Sequence, residues 1–246
     1  LSGLEHNPGF KLSLGFIRKA VFAVFYGDLL MNVANQVRPY EVTAGDTDKA
    51  IEDCMDFLLS EMNEGRGMNH KSMIANFERI IDRFKSIPVA GEQKVRVGVV
   101  GEIYVKYSPL GNNNLEQFLL SEGAEPVVPG LADFVIFKIF NRDVDVDIYG
   151  GKWIKQAVCR VFAGYIKKKQ RAMIDALKRS GRFRAPGDFD ELHSYIKGYL
   201  GDGNKMGEGW LLTAEMLELI HTGVPNIVCT QPFGCLPNHI VGKGMI

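Results

Sequence analysis

The chain of 246 residues lacks a net charge, because 29 Lys and Arg residues balance 29 Asp and Glu residues. A neutral chain has no electrostatic preference for nucleic acid or for an anionic membrane surface. Long apolar runs are also missing, and Gly27 and Asp28 interrupt one of the most hydrophobic helical stretches. We therefore predict a protein that binds no nucleic acid and has no transmembrane span.

Cysteine is scarce. The chain has four cysteines, Cys54, Cys159, Cys229 and Cys235, which are too few for a disulfide framework. No secretory signal peptide is recognisable. We expect a reducing, cytoplasmic setting. Cys54 and Cys159 fall within apolar helical patterns, so both are predicted to be buried core residues.

Several ligand-binding motifs are missing as well. No GxGxxG fingerprint follows a predicted strand, so a nicotinamide or flavin dinucleotide is not expected. Asp143, Asp145 and Asp147 alternate as calcium ligands do, but the distal Glu of an EF-hand is absent. We interpret these acids as part of a solvated loop. Residues 106–114, which follow the first predicted strand, are interpreted as a second loop.

Hydrophobic periodicity divides the chain into three parts. Residues 1–12 have no clear period and are interpreted as a linker. Residues 13–90 contain three helical patterns and no strand pattern, so we predict an all-helical layer. Residues 91–246 mix β-branched runs with helices, which predicts a Rossmann-like α/β domain with a parallel sheet and flanking helices. The chain starts at Leu1 and its last predicted helix stops at Ile246, so we expect a piece of a longer polypeptide, truncated within this domain.

Three short β-branched runs predict the strands of that domain. They lie near residues 95–100, 126–128 and 226–229. A short helical pattern separates the first two, which makes them one β-α-β unit with parallel strands. Long helical patterns occupy most of the chain between the second and third runs.

The final stretch, VPNIVCTQPFGCLPNHIVGKG, is the most informative part of the sequence. The third strand ends in a turn that contains Pro232 and Gly234, and Cys235 then opens a predicted helix. Ligands of α/β folds bind at such strand ends. Because helix N-termini favour thiolates, Cys235 is better placed than Cys229 to be a thiolate, which is the form that binds metal. Their spacing matches neither a zinc nor a ferredoxin pattern, so it identifies no metal.

Two further residues are candidates for proton transfer near this turn. Glu208 lies in the segment GEGW, which starts a predicted helix, and His239 lies four residues after Cys235. Either side chain could serve as a proton donor. Two other interpretations stay open: the cysteines are small buried hydrophobes, or Cys235 is a nucleophile activated by His239.

Four stretches together are similar to a known family: RPYE with GDTD downstream, GEIYVKYSPLGNNNLE, GEGWLLTAEMLELI and NIVCTQPFGCLPNHIVGKG. From about Phe16 to its end, the chain resembles the C-terminal region of large proteins of anaerobic bacteria. These proteins are related to the components and activators of 2-hydroxyacyl-CoA dehydratases of the 2-hydroxyglutaryl-CoA type, and include the CoA-enzyme activase family.

The resemblance implies a [4Fe-4S] iron–sulfur cluster held by cysteines of two facing Rossmann-like domains. An ATP-hydrolysing activase would supply electrons, and an acyl-CoA would lose its 2-hydroxyl group by a ketyl-radical route. By this resemblance Cys235 and Cys229 are candidate ligands, and Gly234 and Pro232 line the cluster pocket. Cys54 and Cys159 match no ligand motif.

A cubane cluster needs about four ligands, and the chain offers one or two. The others would come from the remaining domains of the parent polypeptide, which the resemblance expects to include an ATP-binding activase domain, or from another chain. The isolated chain is therefore expected to be inactive. The alternative is a noncatalytic docking or scaffold domain with structural cysteines.

Overall fold

The computed structural model describes residues 13–246, which form a mixed α/β architecture of helices and a small open sheet. The predicted linker over residues 1–12 lies outside the described residues. Three helices come first, α1 (Leu14–Val37), α2 (Asp46–Asn63) and α3 (His70–Lys85). The helical character predicted for this part of the chain is confirmed.

The second part of the chain contains the strands. Its elements follow in the order β1 (Arg96–Gly101), α4 (Ile103–Tyr107), α5 (Pro109–Asn112), α6 (Leu115–Ser121), β2 (Glu125–Val127), α7 (Leu131–Tyr149), α8 (Trp153–Ser180), α9 (Phe189–Tyr195), α10 (Trp210–His221), β3 (Asn226–Thr230) and α11 (Leu236–Asn238). A π-helical turn, His239–Lys243, follows α11. No helix within residues 13–246 is both long and apolar enough to cross a bilayer.

The three strands are parallel, and β1 lies between β2 and β3. The parallel pairing predicted for the first two strands is confirmed. Successive side chains of β1 point to opposite faces, so Val99 packs with Leu119 on one face and Val100 packs with Leu212 on the other. Both valines are fully buried, because helices cover both faces of the sheet.

The helices of both parts share one apolar core. Phe22 of α1, Phe77 of α3, Phe137 of α7 and Trp210 of α10 belong to the same cluster of buried side chains. Trp210 lies edge-on to Phe137, with ring centroids 5.0 Å apart. Burial of each such aromatic side chain contributes roughly 2–3 kcal/mol. Contacts within this cluster therefore hold the helical layer against the helices around the sheet.

Several expectations drawn from the sequence are wrong. Asp143, Asp145 and Asp147 lie in α7 rather than in a loop, and Asp143 pairs with Arg160 of α8 at 3.0 Å. Ion pairs of this kind offset the low helix propensity of aspartate. Residues 106–114 are largely helical, in α4 and α5, instead of a loop.

The two cysteines predicted to be core residues differ in their surroundings. Cys54 is buried on α2, as predicted, with 1% of its surface exposed. Cys159 is only partly buried, so the prediction of a core position for it is wrong. The cause is its place in the first half of α8, where apolar neighbours such as Val158 and Val161 remain exposed.

Carboxyl groups are buried between the helices and the sheet. Asp28 accepts hydrogen bonds of 2.8 Å from the backbone N–H groups of Leu131 and Ala132, which caps the start of α7. Glu218 accepts one of 2.7 Å from the N–H of Gly187. Burial raises the pKa of Asp28 to about 6 and the pKa of Glu218 to about 7. Both groups therefore bind protons more tightly in the folded state.

We expect the free energy of unfolding to fall between about pH 5 and pH 8. The folded pKa of Glu218, about 7, lies above its ordinary value of 4.5, so the folded state holds the extra proton in that window. Stability from such a group is lost as the pH rises through the folded pKa. In Glu218→Gln, which cannot titrate at this position, the free energy of unfolding should fall by about 2 kcal/mol less across this window than in the wild type. Urea denaturation at several pH values across the window measures this difference. Glu122→Gln, at an exposed position, is the control. A wild-type free energy of unfolding that stays level or rises with pH contradicts the expectation.

Candidate functional site

The candidate site lies where β1 and β3 end side by side. The chain crosses from β1 to β2 on one side of the sheet and then returns to place β3 on the other side. Such a reversal of strand order opens a crevice at the carboxyl ends of the strands. Here the two ends approach closely, since the N–H of Glu102 donates to the carbonyl of Thr230 at 2.9 Å.

Cys235 lies in the loop that leaves β3. It is partly buried, and its sulfur accepts a hydrogen bond of 3.0 Å from the side-chain amide of Asn238. The predicted helix after Cys235 is short, because α11 contains three residues before the π-helical turn. The polar contact of this sulfur is therefore the Asn238 amide rather than the end of a long helix.

Asn238 connects Cys235 to Glu208. Asn238 is fully buried, and its amide nitrogen also donates to Glu208 Oε2 at 3.2 Å. Glu208 Oε1 accepts from the backbone N–H of Ile103 at 3.0 Å. Because the Glu208 carboxylate only accepts hydrogen bonds, the amide nitrogen must face it. The chain of contacts joins the end of β1, the start of α10 and the Cys235 loop.

The backbone of GEGW places Glu208 in this arrangement. Gly207 and Gly209 both have positive φ angles, 58° and 51°. A Cβ atom at position 209 would lie 2.3 Å from the carbonyl oxygen of Asn204, so only glycine fits there. Both oxygens of Glu208 accept hydrogen bonds, which favours a positioning role over the proton donation considered from the sequence.

Lys138 of α7 brings a positive charge to the same place. Its ammonium group donates to the carbonyl of Gly207. Partial burial lowers the pKa of Lys138, while the nearby Glu208 carboxylate raises it. The site therefore contains one buried carboxylate and one ammonium group beside the amide that contacts Cys235.

Cys229 has different surroundings. It lies within β3 and packs against the cluster that includes Leu212 and Val241. A Cβ on Gly242 would lie 3.2 Å from its sulfur. Burial, and secondarily the Glu215 charge, raises the pKa of the Cys229 thiol. The protonated form is favoured at this position, and a thiolate ligand is not.

The other predicted site residues lie on the outside of the loop. Pro232, Gly234 and His239 are exposed. Gly234 has a φ of 77°, which gives the turn its shape. The backbone N–H of His239 donates to the carbonyl of Cys235 at 3.1 Å. Within residues 13–246, the hydrogen bond to the Cys235 sulfur comes from Asn238 and not from the His239 ring.

The structure thus joins Cys235 and Glu208 through the Asn238 amide, and the sequence had indicated both residues near the same turn. The residues that link or flank them, Asn238 and Lys138, were missed. Asn238 lies three residues after Cys235, a spacing that places side chains on one face of a helical turn, and this was the available signal. Lys138 comes from a helix about 100 residues away in the chain and had no signal in the sequence.

Residues 13–246 contain no group of three or more His, Cys, Asp or Glu side chains arranged to hold a metal ion. Comparison of the chain with family models, curated proteins and solved structures gives no match.

Proposed function

We propose that the chain is part of an iron–sulfur protein related to 2-hydroxyacyl-CoA dehydratases and their activators, in which Cys235 is one ligand of the cluster. The three parallel strands and their helices would be the core of a Rossmann-like domain. When bound, the cluster would supply low-potential one-electron transfer. An ATP-hydrolysing activase would deliver the electrons and an acyl-CoA would be the substrate.

The contact between Asn238 and Cys235 carries this proposal. Iron–sulfur clusters bind to cysteine thiolates, and hydrogen bonds to the sulfur atoms tune their reduction potentials. Glu208 holds the Asn238 amide so that it donates to the Cys235 sulfur at 3.0 Å. Residues that orient metal ligands commonly do so by hydrogen bonds of this kind to the ligand side chain. Cys235 therefore fits the chemistry of a cluster ligand, while Cys229 is omitted because its partly buried thiol packs against apolar side chains and its pKa is raised.

Apolar side chains around Cys235 support a facing domain that completes the ligand set. Phe233 is fully exposed, and Leu236 and Ile240 are 67% and 52% exposed. Clusters of exposed apolar residues mark surfaces that bind another protein surface. A second domain covering this rim would bring its own cysteines close to Cys235. The cluster ligands absent from residues 13–246 would come from that domain.

The proposal predicts that Cys235→Ser removes the cluster. The complete polypeptide to which the chain belongs should be purified without oxygen and assayed for iron, for sulfide and for visible absorption. We expect Cys235→Ser to lose most of its iron, because serine replaces a thiolate ligand. Cys159→Ser is the matched control and should keep the iron. Wild-type protein without iron, or Cys235→Ser with unchanged iron, would exclude Cys235 as a ligand.

A docking domain without catalytic activity is the second candidate function. It is favoured by the first half of α8, where Trp153, Val158 and Val161 are each more than half exposed. Exposed apolar residues on one helix are typical of a protein-binding surface. Iron-free protein whose stability is unchanged by Cys235→Ser would support this function.

A further inference from the structure

A cavity of about 390 Å³ lies away from the Cys235 loop. Helices α1 and α8, the carboxyl end of β2 and the C-terminal half of α10 enclose it. Neither Cys235, Glu208 nor Asn238 lines it. With a water occupying about 30 Å³ of liquid, the cavity has room for roughly a dozen non-hydrogen atoms.

Most of the cavity wall is apolar. Met31 of α1, Met173 of α8, Leu219 of α10 and Val128, which follows β2, contribute hydrocarbon or thioether surface. Pockets for small organic ligands have such walls, with a few polar groups that fix the orientation of the ligand. The polar groups in this wall therefore indicate the chemistry of the ligand.

Two carboxyl groups in the wall have an oxygen without a partner. Asp133 is 6% exposed and Glu218 is 8% exposed. Asp133 Oδ1 accepts from the Gln170 amide at 2.6 Å, and Glu218 Oε1 accepts from a backbone N–H. Within residues 13–246, the second oxygen of each group accepts no hydrogen bond, and neither oxygen is among the fully buried atoms that lack a partner. Each is therefore open to small molecules, and a donor from outside the protein can reach it.

The remaining charged groups of the wall already have partners. Glu125 pairs with Arg184, and Arg96 donates to the carbonyl of Gly223 at 3.0 Å. Asp28 accepts two backbone N–H groups. Asp133 and Glu218 line the same cavity, and after burial the charge of Glu218 is the next cause of the raised pKa of Asp133. Among residues 13–246, no cation forms an ion pair with either carboxyl group.

We propose that this cavity binds a small primary ammonium ion, whose nitrogen lies between Asp133 and Glu218. An ammonium group has several N–H donors, enough for an oxygen of each carboxyl group, and its charge opposes that of ionised Glu218. Its hydrocarbon part contacts Met31, Val128 and Leu219. A metal ion fits less well, since residues 13–246 offer no set of three suitable ligands. This proposal is independent of the role of Cys235.

The test compares amines with alcohols of the same shape. Isothermal titration of the chain with n-butylamine, phenethylamine and 1,4-diaminobutane is matched by n-butanol, 2-phenylethanol and 1,4-butanediol. At about pH 8 both the amines and Glu218 carry charge, since the pKa of Glu218 is about 7. We expect at least one amine to bind roughly tenfold more tightly than its alcohol.

Three variants locate the binding. Asp133→Asn and Glu218→Gln should each weaken amine binding by roughly tenfold and leave alcohol binding unchanged. Glu122→Gln, which removes an exposed carboxylate outside the cavity, should change neither. The urea midpoint of each variant verifies that the variant folds. The comparison of amines with alcohols in the wild type tests the proposal even if a variant does not fold. Equal binding of amines and alcohols, no binding of any amine at millimolar concentration, or undiminished binding to folded variants would overturn the proposal.

Discussion

Replacement of Lys106 by Met is expected to lower the free energy of unfolding by about 3–5 kcal/mol. Lys106 and Glu215 form an ion pair of 2.9 Å, with 3% and 2% of their surfaces exposed. Met has a similar length and no charge, so the variant leaves the Glu215 carboxylate buried without its partner. Loss of one member of a buried pair costs more than the pair itself contributes.

The pH dependence of this loss follows from Glu215. Burial raises the pKa of Glu215, and the charge of Lys106 lowers it. Without Lys106 the folded pKa rises further, so the variant takes up a proton and avoids the buried charge at low pH. Stability that depends on this proton is lost as the pH rises through the folded pKa. The difference between Lys106→Met and the wild type should therefore be larger at about pH 8 than at about pH 5.

Urea denaturation measures both effects. The double variant Lys106→Met with Glu215→Gln should recover part of the loss, because no charge remains buried. Lys168→Met is the control for removing a positive charge, since Lys168 is exposed, and it should change stability by less than about 0.5 kcal/mol. A single variant Lys106→Met as stable as that control would show that the buried pair is not formed.

Substitution of Gly101 by Ala is expected to cost more than about 4 kcal/mol, or to prevent folding. Gly101 ends β1 with a φ of 137°, a conformation that side chains rarely adopt. A Cβ there would lie 1.8 Å from the backbone oxygen of Thr230. A backbone atom cannot move aside as a flexible side chain can, so the ends of β1 and β3 would separate and open the candidate site.

The control is a glycine in open space. Gly164 lies within α8, and a Cβ there would meet nothing within 4 Å. Gly164→Ala should stabilise the chain by up to about 1 kcal/mol, since alanine favours helix. Thermal denaturation and the yield of folded protein compare the two variants. Equal melting temperatures would show that the ends of β1 and β3 do not meet as described.

Helices and strands were predictable where the pattern of apolar residues was regular. The repeats that define α1 and the β-branched run of β1 need no knowledge of distant residues. The acids of α7 were misassigned because their pairing with Arg160 depends on the neighbouring helix. Local preference favours a loop for such acids, and contacts made after folding override it.

The candidate site was predictable only in part, for the same physical reason. Cys235 and Glu208 lie in motifs with recognisable turns, whereas Lys138 joins them only after α7 packs beside α10. The cavity had no signal at all, because Asp133 and Glu218 are 85 positions apart in the chain. Side chains that meet across such distances are not revealed by spacing in a single sequence.

The most direct test of the central claim is a redox titration of the complete polypeptide, followed by electron paramagnetic resonance, in the wild type and in Asn238→Ala. If Cys235 binds the cluster, both proteins should show the signal of a reduced cluster, and Asn238→Ala should have the more negative reduction potential. The reason is that the Asn238 amide, 3.0 Å from the Cys235 sulfur, stabilises the negative charge gained on reduction. Identical potentials in the two proteins, or a wild type without any cluster signal, would contradict the account.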